Sequence, residues 1–102
     1  FWRAKSSDTF APIGPYIATD VDDSNTDIVA RVNGREVQRI NTSDMIFGVA
    51  ASISYISQTV TLEPGDVLFT GTGGTNAVLH DGDVVEIEIP GIGTLSNPVA
   101  VE

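Results

Sequence analysis

Across residues 27–40, Ile28, Ala30 and Val32 alternate with Val29 and Arg31. Asn33-Gly34 then interrupts, and residues 35–40 resume with mixed apolar and polar positions. Asn and Gly both tolerate the positive φ of a type I′ turn, so the pattern predicts a β-hairpin. Farther along, Ile46, Val49, Ile53, Ile56 and Val60 recur at intervals of three or four. This spacing predicts the apolar stripe of an amphipathic helix of about three turns, ending near Gln58 or Thr59. Ser43 or Asp44 is available to cap its start, whereas Gly48 points to a later beginning. Glu63-Pro64-Gly65-Asp66 has turn composition, after which residues 67–70 read as a short buried strand. Residues 71–76 form a loop rich in glycine and threonine, and Asp81-Gly82 marks another turn. Residues 84–89 then alternate as a strand, Pro90-Gly91 breaks it, and residues 93–101 form a last extended segment. The expected fold is therefore mainly β with one short helix. Strands and helices do not alternate regularly, which argues against a doubly wound parallel sheet.

Composition narrows the function. With 102 residues the chain has room for one domain. Hydrophobic residues make up 41%, ordinary for a globular protein rather than a disordered one. No apolar run approaches the roughly 20 residues of a membrane-spanning helix, and no signal peptide is evident. Fourteen acidic residues against five basic ones give a net charge of −9. Nucleic acid and anionic membranes both require clustered Lys and Arg, so neither is an expected partner. The absence of cysteine excludes disulfides, thiolate metal sites and a cysteine nucleophile, and fits a cytoplasmic location. The opening Phe1-Trp2-Arg3, without an initiator methionine, reads as the start of a piece of something longer.

Four places carry candidate chemistry. Lys5 reads either as a solvated surface charge, the common fate of a lysine, or as an ammonium that polarises a carbonyl or enolate or transfers a proton. The local sequence does not decide between these. The run Thr70-Gly71-Thr72-Gly73-Gly74-Thr75 offers backbone N–H groups and hydroxyls to a carboxylate or phosphate, or is a plain flexible loop. It is neither a phosphate-binding P-loop nor a dinucleotide fingerprint, lacking the Gly-Lys-Ser/Thr of the one and the following helix of the other. Glu86 and Glu88 are two apart on a strand and so share a face. They read better as the wet side of that strand, with Val85, Ile87 and Ile89 inward, than as metal ligands. His80 is the only histidine, lies at a turn, and has no partner for a nucleophilic triad.

Several segments, in order along nearly the whole chain, resemble the fumarylacetoacetate hydrolase family. These are Arg3-Ala4-Lys5-Ser6-Ser7-Asp8-Thr9-Phe10-Ala11-Pro12-Ile13-Gly14-Pro15, Asn41-Thr42-Ser43-Asp44-Met45-Ile46-Phe47, Thr61-Leu62-Glu63-Pro64-Gly65-Asp66-Val67, Thr70-Gly71-Thr72, Asp81-Gly82-Asp83-Val84-Val85-Glu86, and Gly91-Ile92-Gly93-Thr94-Leu95-Ser96-Asn97-Pro98-Val99. The resemblance implies that residues 1–102 are the C-terminal portion of a catalytic domain with a mixed β-roll fold, usually a homodimer. It also implies an enzyme of catabolism acting on 2-oxo acids or acylpyruvates, by C–C bond cleavage or keto-enol isomerisation, in the acylpyruvase or 2-hydroxyhepta-2,4-diene-1,7-dioate isomerase branch. Oxaloacetate decarboxylation on the same scaffold and a non-catalytic β-rich module are the alternatives.

By the same resemblance, Lys5 is the catalytic lysine, and Thr72, with Gly71 and Gly73 beside it, contacts the substrate carboxylate. The cofactor is Mg²⁺ or Mn²⁺. Its ligands, a Glu-x-Glu pair and an aspartate, precede the lysine segment and would lie before Phe1, so no metal ligand is expected in this chain. Where the family usually places proline after the threonine, Gly73 stands here, followed by Gly74, which should loosen the loop.

Overall fold

The computed structural model describes residues 5–74 and 77–101. Arg3 and Ala4 of the lysine segment, and Thr75 and Asn76 of the predicted loop, lie outside the described residues.

The hairpin forms where the Asn-Gly pair predicts it. Strand β1, Asp27–Val32, turns into β2, Arg35–Asn41, through Asn33 at φ 52° and Gly34 at φ 77°. Strand β3, Val84–Ile89, and β4, Gly93–Pro98, make a second hairpin across Pro90-Gly91. The four build one antiparallel sheet in the order β2-β1-β3-β4. The Asn33 turn is tied to β3. Its backbone N–H donates to the Val84 carbonyl at 2.9 Å, the Val84 N–H donates to Asn33 Oδ1 at 2.9 Å, and Asn33 Nδ2 donates to Asp83 Oδ1 at 2.8 Å.

Register sorts the side chains onto two faces. Asp27, Val29 and Arg31 of β1 share one with Arg39 and Asn41 of β2 and with Glu86 and Glu88 of β3. Arg31 pairs with Glu88 at 2.5 Å, and Arg39 with Asp27 at 3.3 Å and Glu36 at 2.7 Å. A bulge places Val37 as an extra residue between the Ala30–Gln38 and Arg31–Glu36 pairs, which brings Glu36 onto this polar face. On the same face lies Val29, the buried hydrophobic residue among those described, 2% exposed. The other face is apolar, with Ile28, Ala30, Val32, Ile40, Val85, Ile87 and Leu95.

Two expectations are corrected. The helix, α1, spans Val49–Ser57, beginning after Gly48 and ending beside Gln58 as expected, with Gly48 as its N-cap and Gln58 as its C-cap, so the expected cap at Ser43 or Asp44 does not form. Ser43 and Asp44 belong instead to a separate 3₁₀ turn, Thr42–Asp44, whose cap is Asn41: its Oδ1 accepts from the Ser43 N–H at 2.9 Å. Ile46 and Val60 thus fall outside the helix, while Val49 and Ile56 keep the half-buried positions of the stripe. Residues 67–70 are neither a strand nor buried, Val67 being 54% and Phe69 66% exposed. An extended run becomes a strand only against a partner ladder, and none of the described strands pairs with this segment. No helix among the described residues is long and apolar enough to cross a membrane.

Asp83 locks the two hairpins together and should make that junction acid-sensitive. The His80 backbone N–H donates to its Oδ2 at 2.8 Å and Asn33 to its Oδ1, holding the carboxyl below its ordinary 3.8. The folded state therefore binds this proton less readily than the unfolded one. The stability it contributes is present above the ordinary carboxylate range and is lost as pH falls through the lowered folded value. Asp83→Asn should lower the urea midpoint at pH 7, and the gap to the parent protein should close as the pH is taken below the carboxylate range. A gap that stays constant with pH would contradict this.

Candidate functional site

The glycine-rich run beginning at Thr70 folds back over the apolar face of the sheet at β2. Gly71 at φ +93° and Gly74 at φ +80° occupy backbone conformations that side chains disfavour, so glycine is what permits this path. The loop lies close on the strand: a Cβ placed on Gly73 would meet Ile40 Cγ2 at 3.9 Å, and one on Gly74 would meet Gln38 Nε2 at 3.3 Å.

Opposite the loop stands the 3₁₀ turn that follows β2. Thr42 is anchored to the chain entering β1: its N–H donates to the Thr26 carbonyl at 2.9 Å, and its Oγ1 accepts from the Thr26 N–H at 2.7 Å. Between loop and turn is a cleft of about 550 Å³. Ile28 and Ile40 form its floor, Asn41, Thr42, Asp44 and the Met45-Ile46-Phe47 segment one side, and Thr70 to Gly74 the other. Ser52 of α1 also lines it.

Gly71, Thr72 and Gly73, consecutive in the chain, all line this cleft. Thr72 is exposed along the cleft with its hydroxyl 3.4 to 3.5 Å from the Gln38 side chain. Among the described residues no acceptor meets the N–H groups of Gly71, Thr72 or Gly73. Such a set of backbone donors beside a hydroxyl suits a carboxylate. Lys5 is exposed and does not line the cleft. It is the chain's only lysine. Arg31 and Arg39 are engaged in ion pairs on the opposite face of the sheet.

Glu86 and Glu88 do share a face, as their spacing requires, and Glu88 is held by Arg31. His80 is exposed at its turn, with Nδ1 3.6 Å from Asp83 Oδ2. Among the described residues no group of three or more His, Asp or Glu comes together in a way that would hold a metal ion. Asp44 is the one carboxylate in the cleft lining. The described residues alone therefore do not fit a metal centre.

Gln38 is the residue that sequence reasoning missed. Its Nε2 donates to the Gly73 carbonyl and approaches Thr72 Oγ1 at 3.4 Å. The signal was present: Gln38 shares the face of Ile40, two residues on, where an apolar residue would otherwise be expected.

The described residues form a four-stranded antiparallel sheet with a cleft walled on one side by a glycine-rich loop. Comparison of the sequence with family models matches residues 1–100 to the fumarylacetoacetate hydrolase C-terminal model, and the chain belongs to that family. A relative from Archaeoglobus fulgidus is 55% identical over 95 residues, covering 93% of this chain and 38% of its own length. The structure of a 2-hydroxyhepta-2,4-diene-1,7-dioate isomerase from Mycobacterium marinum superposes with a TM-score of 0.92 at 49% identity, covering 96% of this chain and 39% of that one. That of a maleylpyruvate hydrolase from Sphingobium sp. SYK-6, in complex with manganese(II) and pyruvate, has a TM-score of 0.86 at 34% identity, covering 91% and 36%. The mainly β architecture of the described residues is that of the matched parts of these neighbours. The chain thus spans about two fifths of the length of the relatives it matches.

Proposed function

We propose that this chain forms the carboxylate-binding side of an enzyme that hydrolyses or isomerises 2-oxo acids or acylpyruvates. The observation that carries this is the cleft wall itself, where the Thr72 hydroxyl is exposed and the N–H groups of Gly71, Thr72 and Gly73 meet no acceptor among the described residues, beside an apolar floor. A carboxylate there gains charge-assisted hydrogen bonds, while Ile28 and Ile40 receive the carbon chain. The isomerase and the pyruvate-bound hydrolase among the relatives support this class of ligand.

Lys5 is assigned the proton chemistry because a lysine ammonium gives up its proton far more readily than a guanidinium. Cleavage of a C–C bond in an acylpyruvate leaves an enolate. An ammonium next to it stabilises the developing charge and returns a proton to carbon. Mg²⁺ or Mn²⁺ belongs to the proposal on the strength of the manganese-bound relative, with ligands drawn from outside the described residues. The remainder of the domain, and a second copy in a homodimer, are proposed as the cover over the exposed apolar surface around Phe47 and Phe69.

The test is calorimetric titration of the full-length protein with pyruvate in the presence of Mg²⁺, alongside turnover of an acylpyruvate. Pyruvate should bind, and Thr72→Val should weaken it about three- to tenfold, the usual worth of one hydrogen bond. Pyruvate binding without turnover of any 2-oxo acid would leave a non-catalytic module. Absence of both would overturn the proposal.

A further inference from the structure

We infer that Gln38 is a positioning residue that holds the Thr72 loop in its ligand-binding shape. This rests on the carboxylate-binding reading of that loop and extends it to a residue outside the loop.

Three observations carry it. Gln38 donates from Nε2 to the Gly73 carbonyl, and its amide lies 3.4 to 3.5 Å from the Thr72 hydroxyl through both of its polar atoms. Its side chain also lies directly under Gly74, where an added Cβ would be 3.3 Å from Nε2 and 3.7 Å from Cγ. The third observation is its place in the sheet. Gln38 sits opposite Ala30 on the face that carries Ile28, Ile40, Val85 and Ile87, a polar residue in an apolar row.

The loop needs such a tether. Gly73 and Gly74 follow each other, and glycine loses more backbone freedom on ordering than any other residue. A loop of this composition samples many shapes, and a ligand must select the one in which Thr72 and its neighbouring amides converge. The amide of Gln38 supplies a donor for the carbonyl and both a donor and an acceptor near the hydroxyl, and it grows from a strand held on its far side by β1. Anchoring the loop to a rigid element before the ligand arrives reduces the ordering left to be done on binding.

The test compares Gln38→Met and Gln38→Glu with the parent in the full-length protein. Methionine keeps the length and the packing under Gly74 but removes both polar atoms. Glutamate keeps the shape but loses the donor to the Gly73 carbonyl. Both should raise the Kd for pyruvate and the KM for an acylpyruvate about three- to tenfold, leave kcat within about twofold, and speed amide hydrogen exchange at residues 71–74. A merely packing role predicts that Gln38→Met behaves as the parent, and that result would overturn the inference. So would unchanged exchange at the loop in both variants. If the parent protein binds no pyruvate and turns over no acylpyruvate, the functional reading fails. The exchange measurement then still decides whether Gln38 holds the loop.

Discussion

Lys5→Met should lower kcat for an acylpyruvate about 10²- to 10³-fold in the full-length enzyme while changing the Kd for pyruvate little. The effect is large because charge develops in the transition state and not in the bound ground state. A group that meets only that charge acts on kcat rather than on binding. Methionine matches the length and much of the bulk of lysine and removes only the ammonium. The chain has no second lysine to substitute for it. Arg31 and Arg39 are paired on the far face of the sheet, and a guanidinium holds its proton too tightly to exchange it near neutral pH. The measurements are steady-state turnover and pyruvate titration of the same preparation. Full turnover in Lys5→Met would remove Lys5 from the chemistry while leaving the Thr72 cleft as a carboxylate site.

Val29→Ala should cost about 2–3 kcal/mol of stability, more than neutralising any of the charges around it. Val29 is 2% exposed although it lies on the polar face of the sheet. Its cross-strand neighbours are Arg39 and Glu88, with Asp27 and Arg31 two residues away on either side along β1. The ion pairs Arg31–Glu88 and Arg39–Asp27 lie on the same face around it. Each ion pair is partly exposed and worth little by itself. Glu88→Gln, which keeps the shape and removes the charge, should accordingly cost within about 1 kcal/mol. Urea denaturation of both variants tests the ranking. A larger loss for Glu88→Gln than for Val29→Ala would mean that electrostatics, not burial, dominates this face.

The physical reason that some elements were legible is that they are local. Asn33-Gly34 dictates its turn through two positive φ values that few residues tolerate, so the first hairpin follows from sequence alone, whereas the pairing of the two later segments across Pro90-Gly91 did not. Glu86 and Glu88 share a face because the strand period is two, whatever lies around them. The helix was legible in kind and, through Gly48, nearly in extent. A stripe at spacing three and four continues through Ile46 and Val60, yet Gly48 as N-cap limits α1 to Val49–Ser57. Residues 67–70 misled because an apolar run says nothing about whether a partner strand is at hand.

By itself, then, the sequence determined the first hairpin, the helix, the glycine loop with Thr72, and the family resemblance that singles out Lys5. Tertiary structure alone decided that the loop returns over β2 to face the Thr42–Asp44 turn, that Gln38 meets Thr72 and Gly73 across 34 and 35 residues of chain, and that Val29 is buried on the charged face rather than on the apolar one. Turn and strand preferences act between neighbours in the chain and are written in each residue's own φ, ψ and period. Contacts between distant segments depend on register and on a loop's return path, which local preferences do not encode.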